Sequence, residues 1–149
     1  MEIRKATHDD LEIISEFQQR MALETENTKL SRDIVTMGVK SVLDDQSKGF
    51  YNLATDSGRV VACHMITPEW SDWRNAWVWW IQSLYVLPEY RRKGIFRKMY
   101  RHLQEVIGND KTVAGIRLYV VAGNITAQKA YDDMGMDGEH YRVFEWMKE

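Results

Sequence analysis

Two helical patterns of apolar residues stand near the start of the chain. The first follows a capping pattern over Thr7 to Asp10 and continues until Asn27-Thr28-Lys29 interrupts it. A second begins at Ser31 or Asp33, either of which suits a helix N-cap. The buried faces are predicted to be Leu11, Ile14, Phe17 and Met21 in the first helix, and Val35, Val39 and Val42 in the second.

Strand patterns surround and follow these helices. Residues 50–54 and 59–65 are rich in apolar residues and flank Asp56-Ser57-Gly58, so they are predicted to pair as a hairpin. A long strand over residues 76–87 comes next. The remaining predicted strands are 3–6, 115–121 and a strand-like tail over 140–147.

Two further helices lie between the later strands. The third carries a stripe that begins at Phe96, and the fourth starts at Asn124 and ends at Gly135. Alternating helices and strands, with no repeat or low-complexity linker, predict one α/β layered domain over residues 1–149 with a mixed sheet. The stripe of the third helix is Phe96, Met99, Tyr100, Leu103 and Ile107.

Composition narrows the class of protein. With 149 residues, 44% hydrophobic and 28% charged, the chain suits a globular protein with a proper core. No apolar run reaches the roughly 20 residues of a membrane span, and residues 1–5 do not resemble a signal peptide. Cys63 is the single cysteine, which excludes a disulfide framework or a thiolate metal cage. We therefore expect a cytoplasmic protein without a membrane partner or a metal.

A basic loop carries the strongest chemical signal. The long strand ends at Pro88, Arg91-Arg92-Lys93 and Gly94 follow, and a helix begins at once. A helix start offers unpaired N–H groups and the positive end of the helix dipole, and glycine lets the backbone approach a ligand. A pyrophosphate would fit, although a solvated basic turn is the alternative. The glycine patterns of nucleoside-triphosphate loops and dinucleotide folds are missing, which argues against ATP or NAD bound in those ways.

Two motifs stand in the later half of the chain: Arg91-Arg92-Lys93-Gly94-Ile95-Phe96, after Val86-Leu87-Pro88, and a run from Asn124 through Ala127 and Tyr131 to Gly135-Met136. Together they resemble the GNAT superfamily of N-acetyltransferases. The first is similar to its acyl-CoA loop, Arg/Gln-x-x-Gly-x-Gly/Ala after Val-x-Pro. The run from Asn124 to Met136 is similar to its Asn-x-x-Ala-x-x-x-Tyr-x-x-x-Gly-Phe pattern. The resemblance implies the GNAT acyltransferase fold, a mixed and mostly antiparallel sheet of about six or seven strands flanked by about four helices.

The resemblance also implies roles for individual residues. Acetyl-CoA would be the co-substrate, with backbone groups of Leu84 and Val86 bonding the acetyl carbonyl and pantetheine and Asn124 contacting the CoA arm. Tyr131 would protonate the leaving thiolate, because the reference pKa of a phenol lies above that of a thiol. The pyrophosphate would be held by Arg91, Arg92, Lys93, Gly94, Ile95, Phe96 and Arg97.

Two residues depart from the family pattern. Phe96 stands where a small residue is usual, so the loop sits differently or the ring packs beneath CoA. Gln82 stands at the depth where members often place a Glu or His, and glutamine cannot accept a proton. A base would then be a water held by Gln82 or a carboxylate from elsewhere, unless the amine arrives neutral. The carboxylates considered are Glu24, Glu26 and Glu139.

The acceptor side rests on weaker signals. Glu24 and Glu26 end the first helix, a region that borders the acceptor pocket in this superfamily, although exposed glutamates there are commonplace. Trp80, or else Trp70 or Trp73, is a candidate aromatic wall for an amine, although core or interface packing also explains the tryptophans. Strand alternation places Trp80 and Gln82 on one face, opposite Trp77 and Trp79. His64 and His140 are interpreted as structural.

The resemblance predicts an enzyme that moves an acetyl group from acetyl-CoA to a small or peptidyl primary amine by direct attack on the thioester. The alternative is an acyl-CoA-binding sensor or partner-binding domain that has lost turnover, which Gln82 and Phe96 motivate. A nucleic-acid partner is disfavoured because the net charge is −2 and the basic residues are confined to one cluster. A homodimer is expected from the aromatic-rich strands and the habits of the family.

Overall fold

The computed structural model describes all residues, 1–149, which fall into two units, Met1–Arg117 and Leu118–Glu149. The first unit is a five-stranded sheet in the order β1-β2-β3-β4-β5 with three helices, and the second contains one helix. Neighbouring strands are antiparallel except β4 and β5, which are parallel. The strands are β1 (Glu2–Lys5), β2 (Phe50–Asp56), β3 (Arg59–Ser71), β4 (Ala76–Val86) and β5 (Val113–Arg117). The helices are α1 (Leu11–Glu26), α2 (Arg32–Asp44), α3 (Ile95–Gly108) and α4 (Ile125–Asp133).

Short polar residues set the ends of α1 and α2, as predicted. The Asp10 carboxylate accepts from the Thr7 N–H at 2.8 Å, which stabilises a 3₁₀ turn that leads into α1. Asn27 ends α1 in the left-handed conformation, with φ 49°. Of the two candidate caps for α2 the structure uses Ser31, whose hydroxyl accepts from the Ile34 N–H at 3.4 Å.

The predicted hairpin is confirmed. Asp56 pairs with Arg59, so Ser57 and Gly58 form a two-residue turn, and both have positive φ, 50° and 82°. That geometry matches the twist of antiparallel strands, and glycine adopts it without strain. β3 then continues to Ser71, six residues beyond the predicted end at residue 65.

The sheet differs from the prediction at its C-terminal side. It has five strands, whereas six or seven were predicted. The strand predicted over residues 115–121 is β5, which begins at Val113 and ends at Arg117. Residues 140–147 form no strand. Alternating apolar residues can give a strand one buried face. The strand forms only when its backbone also finds a hydrogen-bonded neighbour in the sheet.

The core lies between the sheet and its helices. Ile14 and Phe17 of α1 are buried against residues from the centre of the sheet, including Leu53 and Cys63, and Met99 of α3 is fully buried. These positions confirm the apolar stripes predicted for both helices. None of the helices has the length and apolar character required to span a bilayer.

An irregularity in β4 decides which side chains share a face of the sheet. The β3–β4 register pairs Cys63 with Tyr85 but Met65 with Gln82, so Ser83 and Leu84 together oppose His64. Ser83 has φ 53°, the left-handed conformation of a bulge. Directly paired residues lie on one face, and Cys63 and Met65 are two residues apart. Gln82 and Tyr85 therefore project from the same face, although three positions separate them.

Candidate active site

The basic loop has a backbone suited to an anion. Arg92 and Gly94 are both left-handed, with φ 62° and 72°, and α3 begins at Ile95. No side chain caps α3, so the N–H groups of its first turn are left for another acceptor. A Cβ placed on Gly94 would meet no atom within 4 Å, which leaves open space beside the backbone. The loop therefore fits a pyrophosphate held by backbone groups and neighbouring cations.

Side chains of the first unit hold the residues just before the loop, and the loop itself, in place. The Tyr90 hydroxyl donates to Asp56 in the β2–β3 turn at 3.0 Å, and Arg59 pairs with Glu89 at 2.8 Å. The Lys93 ammonium lies 5.1 Å from the centre of the Tyr90 ring. Since a non-glycine residue in the left-handed region costs roughly 1 kcal/mol, the conformation of Arg92 needs such support.

Arg91, the first residue of the loop, points back onto the protein. Its Nε donates to the Val86 carbonyl at 2.9 Å and its Nη2 to the Glu24 carboxylate at 2.5 Å. Its guanidinium lies 5.5 Å from the centre of the Tyr85 ring, and the Tyr85 hydroxyl donates to the other Glu24 oxygen at 2.8 Å. The Arg91 guanidinium, foremost, holds the pKa of Glu24 below its usual range. Glu24, Tyr85 and Arg91 thus form one cluster, which we call the Glu24 cluster.

The face of β4 that carries Gln82 is polar. The Gln82 amide donates to the Thr67 hydroxyl at 2.6 Å. The Trp80 indole N–H donates to Glu69 at 3.1 Å, and Arg117 pairs with the same carboxylate at 2.6 Å. The register pairs Thr67 with Trp80, which places Trp80 and Gln82 on one face as predicted. We call Thr67, Glu69, Trp80 and Gln82 the β4 polar face.

The second unit carries the other predicted functional residues. Asn124 caps α4, because its side-chain oxygen accepts from the Ala127 N–H at 3.1 Å. Tyr131 lies within α4, and burial raises the pKa of its phenol above the ordinary value. A phenol is protonated at neutral pH, so Tyr131 has a proton to give, although the raised pKa makes it a weaker donor than an ordinary phenol.

Within the first unit, the structure brings a predicted acceptor residue into contact with a predicted cofactor residue. Glu24 from the acceptor side contacts Arg91 from the cofactor side, whereas Glu26 lies exposed at the end of α1. The Phe96 ring lies 6.2 Å from that of Tyr100 within α3. The register places Val86 opposite Ala62, on the other face from Tyr85. The roles assigned to these residues remain predictions.

Tyr85 is a component of this region that the sequence analysis did not identify. Regular alternation would place it on the face opposite Gln82, and only the bulge at Ser83 brings the two together. In the sequence it stands between Leu84 and Val86, a setting that gave no signal beyond ordinary core packing. Tyr85 is 3% exposed, and its ring lies 5.0 Å from that of Phe17.

The other aromatic and histidine candidates have contacts of their own. Trp70 packs edge-on against Trp77 with ring centres 5.0 Å apart, and Trp73 is 92% exposed. His140 pairs with Asp137 at 2.8 Å. His64 is fully buried and its Nε2 lies 3.3 Å from the Asn52 amide, but its Nδ1 has no hydrogen-bond partner. Its structural interpretation is supported, with one polar atom left unsatisfied.

Known structures share this fold over almost the whole chain. A possible acetyltransferase from Clostridium difficile 630 is 44% identical, with 99% of this chain and 97% of that chain covered and a TM-score of 0.91. A ribosomal-protein-alanine N-acetyltransferase from Brucella melitensis biovar Abortus 2308 is 12% identical, covers 99% of both chains and has a TM-score of 0.79. AAC(6')-Iy in complex with a CoA-containing bisubstrate analogue is 18% identical, with 99% and 97% covered and a TM-score of 0.74. The last two likenesses concern the fold alone.

A family model agrees with the first of these likenesses. The model of the acetyltransferase (GNAT) family matches residues 11–136, which include the basic loop, β4 and α4. No curated protein matches the chain. Because the family model spans most of the sequence, and a structure with 44% identity covers nearly all of it, the chain belongs to the GNAT family of acetyltransferases, enzymes that transfer acyl groups from acetyl-CoA.

Proposed function

We propose that this acetyltransferase moves the acetyl group of acetyl-CoA to a primary amine by direct attack on the thioester. The observation that carries the proposal is the loop at residues 91–94, with two left-handed residues, an uncapped helix start and open space beside Gly94. Backbone N–H groups there, with Arg92, Lys93 and Arg97, would hold the pyrophosphate. The proposal treats residues 1–149 as one acetyltransferase domain of a cytoplasmic protein, with a homodimer expected.

In this proposal the amine nitrogen attacks the acetyl carbonyl, and the thioester C–S bond breaks as the tetrahedral intermediate collapses. Backbone groups of Leu84 and Val86 hold the acetyl carbonyl and pantetheine, and Asn124 contacts the CoA arm. Tyr131, whose phenol is protonated at neutral pH, donates its proton to the departing thiolate sulfur. Most of the remaining catalytic contribution is positioning of the two reactants.

Gln82 cannot accept the proton of the amine, so the residue at this position is not a general base. The Gln82 amide nitrogen donates to Thr67, which leaves its carbonyl oxygen as the acceptor for a water or for the amine itself. An amine that arrives neutral loses its proton to water after attack. Trp80 and Glu26 remain the proposed contacts for the amine.

Thermal unfolding with and without acetyl-CoA tests the first half of the proposal. A ligand at about 100 times its dissociation constant adds roughly 2.7 kcal/mol to the free energy of unfolding, or about 5–10 °C for a chain of this length. ATP serves as the control, since it also carries phosphates. No shift with acetyl-CoA, or equal shifts with both, would contradict the proposed binding mode.

Tyr131→Phe tests the acid role. A panel of primary amines, followed by release of CoA, first identifies an acceptor. With that amine we expect Tyr131→Phe to lower kcat by about 100-fold, because general-acid catalysis typically contributes that much or more. The dissociation constant of acetyl-CoA should change little. Full activity of this variant across the pH range would remove the acid role from Tyr131.

A second candidate function is an acyl-CoA-binding domain without turnover. Gln82 favours it, because a side chain that cannot accept a proton is tied to Thr67 where a base is common in the family. Acetyl-CoA binding without CoA release over a broad amine panel would support this candidate against the first.

A further inference from the structure

Arg91 directs its Nε and Nη2 donors to acceptors within the protein. One face of its guanidinium lies over the buried Tyr85 ring, Nε is bonded to the Val86 carbonyl and Nη2 to Glu24. These contacts direct the side chain toward β4 and α1, so Arg91 attaches the start of the loop to both elements. A phosphate would find freer cations in the residues that follow Arg91.

The Glu24 carboxylate lies at the end of α1, where the helix itself does not stabilise a negative charge. The last turn of α1 contains no basic residue, and the negative end of the helix dipole disfavours a carboxylate there. The Arg91 guanidinium and the Tyr85 hydroxyl each bond one of its two oxygens, at 2.5 Å and 2.8 Å. The negative charge of Glu24 is therefore already paired with Arg91, and both carboxylate oxygens are oriented by the protein.

We propose that Glu24 is a positioning residue for the acetyl-CoA loop, which it holds in place through Arg91, and that it does not bind the amine. The inference rests on the proposed function, because it assumes that the loop receives the pyrophosphate. It replaces the amine contact predicted for Glu24.

The strained backbone of the loop explains why an anchor is required. Arg92 directly follows Arg91 and adopts φ 62°, a conformation that an arginine leaves readily when nothing holds it. Fixing Arg91 to both β4 and α1 fixes the N-terminal end of the loop. The N–H groups beyond it then point at one site before the ligand arrives, which reduces the cost of binding.

The variant Glu24→Gln distinguishes a positioning role from a purely electrostatic one, because the two roles predict opposite changes in the affinity for acetyl-CoA. If the charge of Glu24 merely repelled a nearby anion, its removal would tighten binding of acetyl-CoA. If Glu24 holds Arg91, its removal loosens the loop and weakens binding. We expect the dissociation constant of acetyl-CoA, measured by calorimetry, to rise about fivefold, the size of a well-placed exposed ion pair.

S-acetyl-pantetheine separates this role from a general structural one. It carries the acetyl group and the pantetheine arm but no pyrophosphate, so its dissociation constant should be the same in Glu24→Gln and in the wild type. Glu12→Gln is the matched control, since Glu12 lies on the same helix and pairs with Arg32 at 3.3 Å, away from the Glu24 cluster. It should leave the affinity for both probes unchanged.

Two conservative variants complete the test. Arg91→Lys keeps the positive charge but cannot make the guanidinium contacts to Val86 and Glu24 together, so it should weaken acetyl-CoA binding as Glu24→Gln does. Tyr85→Phe removes only the hydroxyl that bonds Glu24 and should act in the same direction with a smaller effect.

Several results would overturn the inference. Unchanged or tighter binding of acetyl-CoA by Glu24→Gln, equal losses for both probes, or full affinity in Arg91→Lys would each do so. Failure of the wild type to bind acetyl-CoA would instead overturn the proposed function, and this inference with it.

Discussion

The basic loop and the β4 polar face are both built from polar residues of the first unit, but they are assembled differently. The loop is contiguous: residues 91–94 and the start of α3 provide its geometry through their own backbone. The β4 polar face gathers side chains from two strands, and its relation to Tyr85 depends on the bulge at Ser83. A site made by consecutive backbone groups is visible in a sequence, whereas one made across strands is set by register.

The largest effect we expect concerns His64, the residue opposite the bulge. Burial, with a smaller contribution from the charge of His102, lowers the pKa of His64 from 6.5 to about 4. Below pH 6.5 the unfolded chain binds a proton that the folded protein excludes, so stability is full above this pH and falls toward pH 4. Between pH 7 and pH 5 the free energy of unfolding should fall by about 2 kcal/mol from this group.

Urea unfolding at the two pH values measures this slope. The control is the double variant Asn52→Ala/His64→Leu, which removes both members of the buried pair with little change in total volume. Its pH dependence should be shallower by about the same amount. An equal slope in both proteins would show that His64 does not remain neutral beneath the bulge.

The next largest effect tests the loop through its backbone. Gly94→Ala should weaken acetyl-CoA binding about tenfold, because the added Cβ occupies the space in which a ligand approaches the backbone. Gly58→Ala is a close control: Gly58 also has positive φ and open surroundings, but it lies in the β2–β3 turn. Each variant should lose roughly 1 kcal/mol of stability. Equal acetyl-CoA affinities, measured by calorimetry, would contradict a role for the loop backbone.

The features that could be predicted from the sequence are those formed by consecutive residues, whereas those assembled across strands could not be. The helices and their caps, the hairpin and the basic loop depend on local spacing, and the structure confirms them. The strand predicted at residues 140–147 was wrong, because apolar alternation does not specify a pairing partner.

The Glu24 cluster could not be predicted for a related reason. Glu24 and Arg91 are 67 residues apart, and their meeting depends on how the end of α1 packs beside the end of β4. Both residues were identified as candidates from local motifs, but on opposite sides of the reaction. Tyr85, which joins them, looked like an ordinary core residue.

The smallest expected effect tests the β4 polar face without touching the loop. Thr67→Val removes the hydroxyl that accepts from the Gln82 amide while keeping the side-chain shape. With an acceptor amine in hand, we expect kcat to fall about threefold, as for loss of one neutral hydrogen bond, and the dissociation constant of acetyl-CoA to stay unchanged. A cycle with Gln82→Leu should show non-additive losses, because Thr67 acts only through Gln82. Additive losses, or a change in acetyl-CoA affinity, would mean that this face and the loop do not work as separate halves of the site.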